Sequence, residues 1–558
     1  MCQGLFITQK PLTVYYFFAS SIFKSFYLSF VHFAGLVENN DRTSDRGDEQ
    51  DMNGSQALAW PGGCCIISIM ANKGITSRTE DFSQWYLDII ERADLAENSA
   101  VRGCMVIKPY GYAIWENIQK ELDRRIKESG HKNAYFPIFI PKSFFSREAS
   151  HVKGFAKECA IVTHYRLKES EDGKGVVVDP EAKLEEELIV RPTSETIMYD
   201  TFSRWITSWR DLPLKINQWA NIVRWEKRTR PFLRTAEFLW QEGHTVYADP
   251  EENLKEVMDM LQMYVDFARD FLAVETYAGR KSESEKFAGA VDTYGVEALM
   301  PDGKSLQFGT SHNLGQNFAK AFNIQYADKD GNMKYPWQNS WGVSTRMMGA
   351  LIMTHSDDNG LVLPPKVAPI KIVIVPIYKD ENREKVLDYC NDLFTKLKEK
   401  VADVELDDRD FVSPGFKFNE WEKKGVPVRI EVGARDLESG GVTMVRRDTN
   451  EKIFTKDEYI VEYGVGLLEE IQNSLLNRSQ SIIRNGTHVV ESYDELKKMM
   501  KGDKGYAKAY WCGDPKCEEQ IKYDTKATTR CISAENVDGK CICCGKPSKE
   551  LWYIAQSY

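Results

Sequence analysis

The sequence predicts an α+β protein of several domains, and three observations carry that prediction. Residues 224–247 read as two strands folded back on each other, amphipathic helices lie before and after them, and beyond Pro364–Pro365 strands and helices alternate until a cysteine-rich end. The 558 residues accommodate three or four domains, and 42% hydrophobic with 28% charged residues is ordinary for a globular chain with ample core. A net charge of -10 argues against a general nucleic-acid coat, so any polyanion has to meet a local basic patch. Six of the 12 cysteines lie between Cys512 and Cys544 and the others are scattered, which suggests a reducing compartment and a thiolate site rather than a disulfide framework.

Residues 1–70 differ from the rest. The run 12–37 is apolar and aromatic, long enough to span a bilayer but interrupted by Lys24 and His32, and an acidic, polar run follows it. Three readings stand: an upstream extension with translation starting near Met70, a signal or membrane anchor, and a disordered regulatory tail. The main body, 71 onward, shows no membrane segment. Residues 81–94 read as a first amphipathic helix, 101–110 as a strand, and 111–129 as a helix with Ile114, Ile118, Leu122 and Ile126 on one stripe. Residues 133–141 (NAYFPIFIP) read as a strand whose prolines suit an edge or an interface.

Polar side chains then begin to gather. Phe155 sits in HVKGFAKECAIVTH. In RPTSET, residues 191–196, Thr193 and Glu195 point the same way if the backbone is extended, so Glu195 could meet a ligand ammonium; a helix cap at Thr193 or Ser194 is the plainer alternative. In the hairpin, 216–225 forms the outgoing strand, and a short basic turn with Lys227, Arg228, Arg230 and Pro231 leads into the return. Alternation places Arg234, Phe238, Trp240, Glu242 and His244 on one face, opposite Thr235, Glu237, Leu239 and Gln241, while Arg224 and Glu226 share a side on the outgoing strand. Such a face is either solvated and laced with ion pairs or is the floor under a flat anionic ligand.

Past the hairpin, 250–272 is a long amphipathic helix and 274–278 a strand. LQFGTSHNLGQNF, 306–318, sets Gln307, Thr310 and His312 around a glycine, and residues 336–355 read as strand, turn and helix, with Ser344 before the turn and Arg346 on the first helical turn. An arginine at a helix N-terminus opposes the dipole and makes sense with a phosphate between them.

FPIFIP, RPTSE, the Arg224/Glu226/Arg234 hairpin running into FLWQEGHT, TSHNLGQNF and SWGVSTR, in this order, resemble the class II aminoacyl-tRNA synthetases, and among these the prolyl-tRNA synthetases of the eukaryotic and archaeal type. The resemblance covers roughly 71–558. It implies an antiparallel sheet flanked by helices (71–365), a homodimer formed partly through the Pro137 strand, a cytoplasmic location, and ATP-dependent activation of L-proline for transfer to tRNA(Pro). It also implies roles. Arg224 would bridge the proline carboxylate and the α-phosphate, Glu226 would accept from the adenine amino group, and Arg234 and Arg346 would hold the β/γ-phosphates. Thr235, Gln307, Thr310 and Ser344 would complete the ATP site with Mg²⁺ on the phosphates. Thr193, Glu195 and His312 would surround the proline amine and carboxylate, Phe155 and Trp240 would wall its ring, and Glu242 and His244 would stand close behind. The interval 247–340 leaves no room for a large editing insertion, so no cis editing is expected.

After the double proline, 371–376 is a buried strand, and a helix from Glu381, the stretch PGFKFNEWEKKGVPVRIEVG and a final strand near 443–447 alternate with it as βαβ units. This part (366–472) resembles the anticodon-binding domain of the same synthetases. In the remaining 473–558, a small α+β unit, the spacing of Cys512 and Cys517 with Cys541 and Cys544 suits a tetrahedral, structural Zn²⁺ site, while Cys543 offers a competing pairing and Cys531 is left over. Two other functional classes stay open beside the ligase: a synthetase-like protein that has lost catalysis and binds RNA, and, more remotely, a zinc hydrolase. Within the class, threonine or serine is the nearest competing substrate.

Overall fold

A computed structural model describes residues 74–145 and 159–558. The readings of residues 1–70 and of Phe155 therefore fall outside the described residues. At the centre is a seven-stranded sheet in the order Thr276–Arg280, Asp292–Leu299, Ser305–Gly315, Trp337–Ser344, Glu237–Tyr247, Leu214–Val223 and Lys132–Asn133, antiparallel throughout except for the last pairing.

Helices cover the back of this sheet for reasons visible in their sequences. Phe82–Arg92 starts where the Asp81 carboxylate accepts from the backbone N–H groups of Ser83 and Gln84. Pro109–Glu128 begins with a proline, whose missing N–H costs nothing in the first turn, and buries the Ile114, Ile118, Leu122 and Ile126 stripe. Pro250–Asp270 is capped by Asp249 and lays Val257, Leu261 and Tyr264 on the sheet, where Tyr264 is hydrogen-bonded to Gln241 and Ser311 Oγ donates to the Val257 carbonyl, 2.8 Å away. Packing there is tight enough to require glycine at 243: a Cβ would lie 2.0 Å from Cζ2 of Trp341.

The hairpin differs from its sequence reading at the turn. Its strands end at Val223 and resume at Glu237, so Arg224 and Arg234 lie in the connection rather than on the ladder. A separate small turn around Pro231 causes this: Arg230 N–H donates to the Arg234 carbonyl at 2.7 Å and Arg234 N–H returns a bond to the Arg230 carbonyl at 2.9 Å. The expected strand 133–141 is likewise two pieces. Lys132–Asn133 edges the main sheet and Phe139–Pro141 edges a three-stranded sheet with Lys183–Val190 and Ala160–His164; Pro137, which has no N–H to donate, lies between them.

Residues 372–456 form a five-stranded sheet in the order Val404–Leu406, Ile372–Ile377, Val428–Gly433, Gly441–Arg446 and Lys452–Lys456. The first three strands are parallel, joined by the helices Arg383–Lys398 and Pro414–Lys423. The last two are antiparallel, so the expected βαβ alternation ends in a meander, and the sheet has two strands, Val404–Leu406 and Lys452–Lys456, that the sequence reading did not name. The final unit is a four-stranded sheet, Thr487–Val489, Tyr506–Tyr510, Pro547–Ala555 and Thr528–Lys540, with helices Tyr493–Lys501 and Pro515–Thr525. The expected division at 472/473 falls within the helix Ile460–Asn485, which runs from one unit into the next. No helix among the described residues is long and apolar enough to cross a membrane.

His355 closes the helix Arg346–His355, fully buried, with Nε2 donating to the Leu272 carbonyl at 2.9 Å. Burial holds its pKa down at about 4, so the folded chain refuses a proton that the unfolded chain takes up near its ordinary value. Stability contributed by the neutral ring is therefore complete above the unfolded pKa and declines as pH falls through the interval down to the folded one. Relative to a His355→Gln variant, which keeps a donor for Leu272, the wild-type chain should lose about 2 kcal/mol between about pH 7.5 and about pH 5. Urea unfolding of both proteins at the two pH values checks this; parallel changes would refute it.

Candidate active site

The site lies on the open face of the central sheet, and strand register assembles it. His244 stands opposite Ser340, Ser340 opposite His312, and His312 opposite Thr293, a row across four strands. One step along, Glu242 faces Gly342 and Gly342 faces Thr310. Phe238, Trp240, Glu242 and His244 all line one cavity of about 230 Å³, as alternation along the return strand predicts. A β-bulge between Val296 and Glu297 changes the parity of Ser305–Gly315, so that Gln307 joins Thr310 and His312 at the cavity while Phe308 belongs to the core.

One end of the cavity is acidic and buried. Thr193 donates to the Glu195 carboxylate, and both side chains line the cavity while almost wholly buried. Ser194 is at the N-cap of Glu195–Trp205 yet makes no capping bond; its hydroxyl donates to Glu242 Oε1 at 2.5 Å, which sets aside the capping alternative. The same oxygen accepts from Gln218 Nε2 at 2.8 Å, and Glu242 Oε2 lies 3.2 Å from His244 Nε2, whose other nitrogen is 3.0 Å from the Tyr199 hydroxyl. Glu242 and His244 are thus both wall and support. His312 packs against Phe287, ring centres 4.6 Å apart, with Nδ1 3.0 Å from Thr293 Oγ1. Its pKa is lowered to about 4, chiefly by burial, against the opposing pull of Glu195 and with Lys281 and His244 adding to the effect, so the ring is neutral near pH 7.

The other end is basic. Arg224 Nε donates to the Pro192 carbonyl at 2.9 Å, and its guanidinium lies 5.6 Å from the ring centres of both Phe238 and Trp240. A smaller chamber of about 50 Å³ is lined by Glu226, Arg234 and Thr235 and shares Arg224, Phe238, Ser344 and Arg346 with the larger one. Glu226 Oε1 accepts from Arg234 Nε at 2.6 Å, and Thr235 donates to the Glu237 carbonyl at 2.7 Å. Arg346, at the start of its helix, donates from Nε to the Leu233 carbonyl at 3.2 Å. Its pKa is lowered to about 10 by burial and then by Arg224 and Arg234, the mark of a cation cluster that an anion would relieve. Three buried polar atoms of residues lining the larger cavity, Trp240 Nε1, Ser340 Oγ and Trp341 Nε1, have no hydrogen-bond partner among the described residues.

The described site residues expected from the sequence therefore converge on two adjoining chambers. Sequence reasoning missed Lys281, Glu285, Phe287, Thr293 and Ser340, which also line the larger one. Ser340 is legible by period-two spacing from Ser344; the other four carry no motif and arrive through a loop and a neighbouring strand.

Outside the cavity lining, Cys512, Cys517, Cys541 and Cys544 bring their Sγ atoms within 4.8 Å of one another. Cys512 Sγ lies 3.9 Å from Cys517 Sγ and 3.7 Å from Cys544 Sγ, against about 3.8 Å expected between thiolates placed tetrahedrally around Zn²⁺. Cys543 stays outside this set of four, and Cys531 is buried in the strand Thr528–Lys540.

Comparison with known proteins agrees with this layout. Residues 177–355 match the family model for the tRNA synthetase class II core domain (G, H, P, S and T), 371–463 the anticodon binding domain, and 493–558 the C-terminal domain of prolyl-tRNA synthetase. The chain is 58% identical over 489 residues to the proline–tRNA ligase of Porphyromonas gingivalis (strain ATCC 33277), covering 87% of this chain and 99% of that one. It is 56% identical over 493 residues to that of Bacteroides fragilis (strain ATCC 25285), covering 87% and 99%, and 55% identical over 493 residues to that of Flavobacterium johnsoniae, covering 87% and 100%. These relatives are bacterial, so the eukaryotic and archaeal type expected from the motifs is not borne out. On motifs, fold and near full-length identity, the chain belongs to the prolyl-tRNA synthetase family of class II aminoacyl-tRNA synthetases.

Proposed function

We propose that this chain activates L-proline with ATP and transfers it to tRNA(Pro). The observation that carries the reading is the junction of the two chambers: Arg224 and Arg346 stand between a small acidic pocket and a basic slot. Proline binds with its ammonium toward Glu195, held in place by Thr193, and with its ring against Trp240. ATP spans the slot and the adjoining part of the larger cavity, its adenine amino group donating to Glu226 and its phosphates on Arg234 and Arg346, with Thr235 in the slot, Gln307 and Thr310 in the larger cavity and Ser344 shared by both. Mg²⁺ comes with the nucleotide and neutralises phosphate charge. As the proline carboxylate attacks the α-phosphorus, Arg224 holds both reacting groups and stabilises the charge spreading over the phosphoryl oxygens, and pyrophosphate leaves. Neutral His312 shapes the pocket without repelling the ammonium. The site relies on positioning and electrostatics, so no side-chain nucleophile is needed; the terminal ribose hydroxyl of tRNA then attacks the adenylate carbonyl and expels AMP.

The region 371–463 binds the anticodon loop, the enzyme acts as a cytoplasmic homodimer whose contact includes the Phe139–Pro141 edge, and Zn²⁺ at the four thiolates is structural because four protein ligands leave no open position. Intact arginines on both chambers favour this reading over an RNA-binding protein without activity. Between Tyr247 and Trp337 the chain forms the helix Pro250–Asp270, the short helix Asn317–Ala321 and further sheet strands, with no inserted domain, which supports the absence of cis editing.

Purified protein should catalyse proline-dependent ATP–pyrophosphate exchange, and Arg224→Ala should slow it by at least about a hundredfold, as expected when a charge-stabilising donor is removed. Exchange with none of proline, threonine or serine in folded protein would refute the activity. Metal analysis should find about one zinc per chain, falling well below that in Cys541→Ser; equal zinc in both proteins would remove the assignment. Alanine is small enough to enter the proline pocket and lacks two ring methylenes, each worth only about 1–3 kcal/mol, so some alanyl-tRNA should form and persist. Its rapid hydrolysis by the purified protein would contradict the absence of editing.

A further inference from the structure

The segment 281–287 supplies Lys281, Glu285 and Phe287 to the amino-acid end of the cavity, yet much of what holds it comes from the C-terminal unit. Ser282 Oγ donates to Glu518 Oε1 at 2.7 Å, and Thr529 Oγ1 lies 3.0 Å from Ser282 Oγ while bonded to the same carboxylate. Arg530 reaches in beside them. Its Nη2 lies 3.1 Å from both oxygens of Glu297, and its Nη1 is 3.8 Å from Glu285 Oε2. Glu297 also accepts from Lys281 Nζ at 3.0 Å and from Ser305 Oγ at 2.7 Å. Ser282, Glu297, Glu518, Thr529 and Arg530 are all buried.

The two surfaces are fitted closely just before this segment. A Cβ on Gly279 would lie 2.3 Å from the Ile532 carbonyl oxygen, and Arg280 Nη2 donates to Glu550 Oε1 at 2.8 Å. Buried, fully partnered polar contacts of this kind have one good geometry, because any displacement leaves a charge without its partner. The segment they hold ends at Phe287, whose backbone N–H donates to Thr293 Oγ1 at 3.0 Å and whose ring packs on His312.

We propose that Glu518 and Arg530, which do not line the cavity, are positioning residues for the proline pocket: by holding the segment 281–287, they set Lys281, Glu285 and Phe287 against bound amino acid. The inference rests on the proline-activation reading above. It makes the C-terminal unit part of amino-acid recognition. Of the two chambers, only the larger is lined by this segment.

The test is steady-state ATP–pyrophosphate exchange with the full chain and its Ser282→Ala, Glu518→Ala, Glu518→Gln, Arg530→Met and Arg530→Lys variants. Proline-dependent exchange by the wild type establishes the underlying reading independently of any variant. Glu518→Ala and Arg530→Met should raise the KM for proline by about tenfold or more, as small misplacements of a binding group do, with the KM for ATP changed by less than about twofold. Glu518→Gln and Arg530→Lys should recover part of the loss. Unchanged proline KM in folded variants would overturn the proposal, as would equal rises in both constants, which mean general loosening. Should the two harsher variants fail to fold, Ser282→Ala decides by the same ratio of constants, since it removes a single hydroxyl on the pocket side.

Discussion

The register between Glu237–Tyr247 and Trp337–Ser344 is the constraint on which the rest depends. Side chains alternate across a strand with period two, so a slip of one residue would send Trp240, Glu242 and His244 into the core and bring Leu239 and Gln241 to the cavity. The back of the sheet forbids that slip. Gly243 and Trp341 are paired across the strands and pack so closely that no other residue fits at 243, and Gln241 is held by Tyr264 of the covering helix. Packing on one face therefore fixes the chemistry presented on the other.

That chemistry is arranged by charge. Glu195 and Glu242 are buried where an isolated carboxylate would be costly, and each is hydrogen-bonded: Glu242 to Ser194 and Gln218, Glu195 to Thr193. Arg224, Arg234 and Arg346 gather at the other end, where burial first and then the neighbouring guanidinium groups depress Arg346. On the proposed reading, such a gradient would orient a zwitterion and collect phosphates, bringing the reacting carboxylate to the boundary between them. Strain or a reactive nucleophile is not required for phosphoryl transfer of this type.

The helix Arg346–His355 connects the site to the remaining chain. Its first residue faces the chambers, and its end is tied down by Arg478, whose Nη1 donates to the His355 carbonyl at 3.3 Å. Just beyond, the Arg447 guanidinium grips the Asp357 carboxylate with bonds of 2.7 and 2.8 Å. These contacts join the sheet of residues 372–456 to the central one, while Arg530 and Glu518 join the cysteine-bearing unit to Glu297 and Ser282. The unit with the thiolate cluster is thus packed against the strand Thr276–Arg280 rather than appended to the end of the chain.

Local pattern was enough for the helices at 82–92, 109–128 and 250–270, for the hairpin and its two faces, and for the four cysteines, because periodicity, capping and ligand spacing are properties of short stretches. Motif order was enough for the family. Tertiary structure decided what depends on residues distant in the chain. It split the strand around Pro137, and it moved Arg224 and Arg234 off the ladder through a local turn that alternation could not reveal. It used a bulge to turn Gln307 toward the cavity. It chose Cys544 over Cys543, and it brought Lys281, Glu285, Phe287 and Thr293 to the pocket. These last residues carry no signal of their own; a loop held by buried contacts to Glu518 and Arg530, more than 230 positions away, puts three of them there. Short-range sequence records what a backbone segment prefers, whereas burial and partnering across distant segments determine which of its side chains meet.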